Sequence, residues 1–222
     1  MTEITLLAFL HLLLFVYWLG ADLGVFHSSK YVVDPNISVE SRQVAARIMF
    51  WLDQTPKMCM PLILPAGIHL ASALGYITLS GLQVGLIWLV CVLWLFNVHF
   101  IHILKPGGLK HGLERLDFWF RIVLMSGLIL FSLYSLVSGG PDSNDMVAVK
   151  LLVFALLVGC GLLIRLFLRP FIPAFVELTK NGPSEAGNQI MIDSLRRCRY
   201  VVMALWVGLL FNAAVGVGLI TF

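Results

Sequence analysis

Six stretches of this chain are each long and apolar enough to cross the hydrocarbon core of a bilayer, which takes roughly 20 residues as a helix. They run over 4–26, 58–79, 82–104, 118–137, 147–168 and 200–222. None shows the period-two alternation of a barrel strand. The pattern predicts an all-α fold: a polytopic membrane helical bundle of six transmembrane helices, forming one integral membrane domain over residues 1–222. Charged residues make up 12% of the chain, about half of what a soluble domain carries. A soluble globular domain, a disordered chain and a nucleic-acid binder are excluded on that ground. The first run has no basic segment before it and no small-residue cleavage site after it, so it reads as a retained span, not a signal peptide.

The few charges are sorted by side. Of fifteen Lys and Arg residues, twelve fall in three regions: after the first run, between the third and fourth, and between the fifth and sixth; Arg121 and Arg165 lie just inside the runs that border these regions. Only Lys150 falls on the other side, with Asp142 and Asp145. Basic loops stay in the cytoplasm, so both termini are expected outside.

Ser80 and Gly81 join the second and third runs so tightly that these helices must be antiparallel neighbours. Ser138-Gly139-Gly140-Pro141-Asp142 is a turn signal between the fourth and fifth. Over 38–55, Val44, Ile48, Trp51 and Leu52 share one helical face, after the turn chemistry of Asp34-Pro35-Asn36. This predicts a cytoplasmic amphipathic helix running into the second span with a bend near Thr55-Pro56. Pro61 and Pro65 loosen that span, as membrane helices tolerate. The similarity of 121–125 to 199–203 is a faint internal echo.

Ionisable groups inside spans are costly and are functional candidates. His11 lies on the first run and His69 near the middle of the second. His27 ends the first run, and His99 and His102 lie near the cytoplasmic end of the third. Imidazole is a common metal ligand and suits haem iron. His11 with His69 form a candidate outer pair of axial ligands, and His27 with His99 or His102 an inner pair. Side chains lean toward each helix's N-terminus, which sets His11 and His69 apart in depth. Asp22 is the only acid expected well inside a span, with Arg121 or an arginine near the sixth run as partner. Lys150 opens the fifth run, where it could snorkel or meet an anionic group such as a haem propionate. Asn97 and Asn212 read as helix-to-helix glue. Met58-Cys59-Met60 offers soft sulfur of the kind that selects copper(I), although neighbours on a helix point apart. Trp18, Trp51, Trp88, Trp119, Tyr76 and Tyr200 suit an interfacial belt, while Trp94, Phe96 and Phe100 suit a porphyrin pocket or the core.

Leu10-His11, with Trp18 seven residues on and Gly20 after it, resembles the opening helix of two related groups of bacterial membrane proteins. These are the HemJ-type protoporphyrinogen oxidases and the CopD-type copper-resistance proteins. The resemblance implies a haem b ligand role for His11 and a bacterial inner-membrane location. Lys150-Leu151 is similar to a lysine-leucine pair that opens a later HemJ-type helix. That helix carries a further histidine about eleven residues on, where Gly161 stands here.

These readings lead to a haem b membrane protein engaged in electron transfer or an oxidoreductase reaction, HemJ-like porphyrinogen oxidation being one form. The lipid bilayer is its surroundings, and a quinone and a redox partner subunit are its expected partners. The site residues are His11, His69, His99 and Lys150 for the cofactor, with His27 and His102 as further metal ligands. A CopD-type copper-handling protein and a cofactor-free structural or assembly subunit are the alternatives. A transporter is disfavoured, since paired broken helices are lacking.

Overall fold

The structure, a computed structural model, describes residues 2–138 and 144–221. The turn expected over 138–142 falls mostly outside the described residues, as does Asp142. Among the described residues there are eight helices and no strand: α1 (Glu3–Val32), α2 (Val39–Leu52), α3 (Gln54–Ala73), α4 (Gly81–Ile103), α5 (Gly108–Ser138), α6 (Asp145–Phe167), α7 (Phe171–Asn181) and α8 (Glu185–Gly216). Local chemistry sets their starts. The side chains of Thr2, Ser38, Asn144 and Ser184 each accept a hydrogen bond from a backbone N–H in the first turn that follows. Ser80 and Gln83 form a reciprocal capping box at α4, which satisfies two otherwise orphaned donors.

α1 packs on α3, α3 on α4, α4 on α5, α5 on α6, α6 on α8, and α8 back on α1. Six helices thus close a ring in chain order. Its core holds Leu14, Trp18, Met60, Leu64, Trp94, Phe154, Val158 and Leu209. Trp18, expected at an interface, is instead buried and meets Phe154 edge to face at 6.4 Å. α1, α5 and α8 have 30, 31 and 32 residues, about 45 Å or more of helix. They outrun a hydrocarbon core of about 30 Å. Their excess length gathers at the end of the ring where the basic residues lie, hereafter the basic end.

There α2 and α7 build a second core with Val32, Met49, Phe171, Leu178, Met191 and Leu195. Arg42 pins it together. Its Nε donates to the Val32 carbonyl at 2.8 Å and its Nη2 to Asn188 Oδ1 at 3.0 Å. The region between the fifth and sixth apolar runs is therefore largely helical: it is α7 and the start of α8. The amphipathic helix forms as expected, but Asp53 interrupts the chain two residues before the expected bend. α2 turns Arg42, Ala46 and Met49 inward and leaves Val44, Ile48 and Trp51 exposed. The reason is that the second core meets the opposite face. The outward apolar stripe suits a helix lying at a membrane interface.

Among the described residues, five helical stretches are long and apolar enough to cross a membrane: α1, α4, α5, the 145–181 stretch that holds α6, and α8. The expected second span is not among them. It is α3, a 20-residue helix carrying Pro61 and Pro65, both fully buried, and enclosed by its neighbours along much of its length. α3 also stops at Ala73, short of residue 79. Gly75 sits at φ 76°, with its N–H on the Ser72 carbonyl and the Tyr76 N–H on Ala71 at 2.9 Å. This is a Schellman end, which glycine accommodates without Cβ strain. Gly218 ends α8 in the same way, so the expected sixth span closes near 216.

Candidate functional site

The ring brings polar groups together in two places. Far from the basic end, α1, α3, α6 and α8 meet around His11. The imidazole lies flush against α3 at Gly67: a Cβ there would stand 2.8 Å from His11 Cε1 and 3.3 Å from Nδ1. Nδ1 is buried and makes no well-formed hydrogen bond, although the ring stands close to the Ile63 backbone of α3. Lys150 is close enough to act on this ring electrostatically. A second glycine makes room for it, since a Cβ on Gly216 would stand 2.6 Å from the Lys150 ammonium nitrogen. Asn212 donates to the Lys150 carbonyl at 3.2 Å, while its own Oδ1 is buried and unpartnered. An imidazole nitrogen, an ammonium and an amide oxygen therefore share an apolar bundle with spare hydrogen-bonding capacity. Such groups are costly to leave unmet.

His69 does not join them. Its Nε2 is 3.0 Å from Glu3 Oε1, and its Nδ1 accepts from Trp88 Nε1 at 3.4 Å. Because Nδ1 accepts, Nε2 carries the proton and donates to Glu3. Glu3 is eight residues before His11, about 12 Å along α1, so the two histidines lie at different depths. With α3 ending at Ala73, His69 sits about one turn from the helix end and not at mid-span. His27, His99 and His102 are all exposed. Among the described residues no group of three or more His, Cys, Asp or Glu side chains is disposed to hold a metal ion. All four cysteines are free. Met58-Cys59-Met60 is divided: Cys59 and Met60 are core residues, and the Met60 sulfur accepts from Arg121 at 3.1 Å.

The second place is at the basic end, on Asp117. This carboxylate is fully buried. Its Oδ1 accepts from Trp94 Nε1 at 2.8 Å, and its Oδ2 accepts from Arg121 Nε at 2.9 Å and Arg165 Nη2 at 2.6 Å. The Arg121 guanidinium also lies over the Trp94 ring, 5.1 Å from its centroid, so Trp94 lines this network. Gly161 packs against Arg121 and Met60. Arg121 thus belongs to Asp117 and not to Asp22, which has Asp53 and Lys57 as its charged neighbours.

Asp117 escaped the sequence reading because hydropathy assigns 105–117 to a loop, whereas α5 begins at Gly108. The signal that would have found it is the spacing Asp117-x-x-x-Arg121, which puts opposite charges on one helical face. Comparison with family models, with curated proteins and with solved structures finds no match to this chain. What the geometry defines is a class: an all-α chain whose apolar helices suit a multi-pass membrane protein.

Proposed function

We propose that the chain is a multi-pass protein of the bacterial cytoplasmic membrane, with both termini outside, that takes part in electron transfer or an oxidoreductase reaction through haem b. The observation that carries this reading is the buried, unpartnered His11 Nδ1 within electrostatic reach of Lys150, the residue whose carbonyl accepts from Asn212. The donor set fits the group chemically. An imidazole nitrogen is an iron ligand, and an ammonium complements a propionate. Two glycines, Gly67 and Gly216, make the space in which these side chains lie. His11 is the axial ligand and Lys150 the propionate partner in this reading. A bound haem supplies one-electron chemistry at its iron. The protein's part is to fix the imidazole against α3, hold a positive charge nearby and keep water out with the surrounding apolar side chains.

His69 acts here as a link between α1, α3 and α4 through Glu3 and Trp88, not as a second ligand. A quinone and a partner subunit are the electron donor or acceptor. Protein purified from haem-supplied cells should show a Soret band and a reduced α-band, both lost in His11→Ala. A colourless preparation with no pyridine haemochrome overturns the reading. Copper found by elemental analysis in that preparation points instead to a CopD-type role, and neither group to a structural subunit. The topology is tested separately, in a cysteine-free background. Tyr76→Cys should react with an impermeant maleimide from outside, and Lys180→Cys only after permeabilisation.

A further inference from the structure

The Asp117 network forms the floor of a cleft of about 350 Å³ between α3, α4, α5, α6 and α7 at the basic end. Lys57, His102, Lys110, Arg121 and Arg165 reach this cleft, against the carboxylates of Glu114 and Asp117. Asp117 is spent on its donors, while Glu114, beside an imidazole that cancels its charge only when protonated, offsets one of the cations and leaves a surplus of one. Both Asp117 oxygens are occupied, and Glu114 is 3.2 Å from His111 Nδ1. Lys57 is matched by Asp53. Two arginines thus share one carboxylate, and Lys110 is the remaining cation. Its ammonium donates to the Leu104 carbonyl at 3.2 Å and has further protons to give. Arg165 is partly exposed and commits one nitrogen to Asp117, with the rest of its fork free.

We propose that this cleft binds a phosphate group, with Arg165 and Lys110 as its donors and Asp117 as the anchor that fixes the arginine. A guanidinium fork matches phosphate oxygens bidentately. Here the fork is held before any ligand arrives, so little ordering is required on binding. The volume suits a phosphate carried on a small molecule or headgroup. The position suits both sources of that chemistry: basic pockets between helices on the cytoplasmic side hold anionic lipid headgroups, and a cleft open at this end also admits a soluble phosphate. The cleft shares no residue with the His11 cluster, so each proposal stands or falls without the other.

The full chain is reconstituted in phosphatidylcholine nanodiscs. One arm adds phosphatidylglycerol and counts retained lipid by native mass spectrometry. The other titrates inorganic phosphate and pyrophosphate at constant ionic strength and reads thermal stabilisation. At least one arm should show binding that is weakened roughly tenfold in Lys110→Gln, the scale of one charge-assisted hydrogen bond. Lys110 hydrogen-bonds a backbone carbonyl and is not a donor to Asp117, so this variant keeps the Asp117 network. Arg165→Gln should weaken binding at least as much, and Arg47→Gln on exposed α2 should leave it unchanged. Retention of phosphatidylglycerol alone names the lipid as the source; stabilisation by phosphate or pyrophosphate names a soluble ligand. The proposal is overturned if neither arm shows binding, or if Arg47→Gln weakens it as much as Lys110→Gln.

Discussion

His11 and Gly67 are in direct register. The imidazole of one occupies the space that any side chain on the other would fill, with Cε1 2.8 Å from the missing Cβ. Gly67→Ala must therefore push the ring or the helix. Overpacking of this kind costs typically about 1–3 kcal/mol. The clash disappears with the ring, so Gly67→Ala combined with His11→Ala should be more stable than Gly67→Ala alone. A double-mutant cycle by denaturant unfolding in detergent measures the coupling. Additive effects would mean that the two residues do not meet.

Asp117 holds two arginines and a tryptophan on one buried carboxylate. Removing it leaves the buried Arg121 without its contacting carboxylate, Asp53 acting on it only from a distance, and breaking a buried pair from one side costs about 3–5 kcal/mol. Asp117→Ala should approach that loss. Arg165→Gln should cost far less, because Arg165 is partly exposed and Arg121 and Trp94 still hold the carboxylate. Near-equal losses in thermal unfolding would contradict the hierarchy.

His69 should behave unlike His11. Its imidazole links Trp88 to Glu3, so His69→Phe should shift Trp88 fluorescence while leaving any haem content intact. His11→Ala should do the reverse. Loss of haem in both variants would restore the two histidines as a ligand pair.

Glu40, fully exposed in the first turn of α2, titrates below the usual carboxylate range because of a hydrogen bond to its own backbone N–H and another with Ser38. A carboxyl whose value is lowered by folding stabilises the fold above its unfolded value. That contribution is lost as pH falls through the folded value. Acidification below the ordinary glutamate range should fray the start of α2, and Glu40→Gln should flatten the dependence. Hydrogen exchange at residues 39–43 reads it directly.

How much of this was open to reading in the sequence depends on the range of the interaction. The amphipathic stretch over 38–55 and five of the apolar runs are local patterns, and each became a helix near its expected place. The bundle's interior was less open. Trp18 looks like a belt residue until Phe154 of α6 is known to cover it. His69 looks deep in the membrane until Gly75 is recognised as a helix stop. Asp117 looks like loop because hydropathy weighs polarity alone, while its partners lie at residues 94, 121 and 165. The candidate histidines differ in a way the sequence does not show. Which of them were already engaged was decided by Glu3 and Trp88, from other helices.

The enclosed position of α3 bears on how the protein is made. Lipid offers little welcome to a helix that begins with a lysine-bearing, polar turn and carries two internal prolines. Its seat is supplied by α1 on one side and α4 on the other. The link from Ala73 to Gly81 is short, so α3 and α4 enter as a hairpin and the more apolar arm carries the weaker one. α1, made first, supplies one wall of that seat, and synthesis past α4 completes the other. A chain truncated after residue 80 would leave α3 as a substrate for membrane quality control.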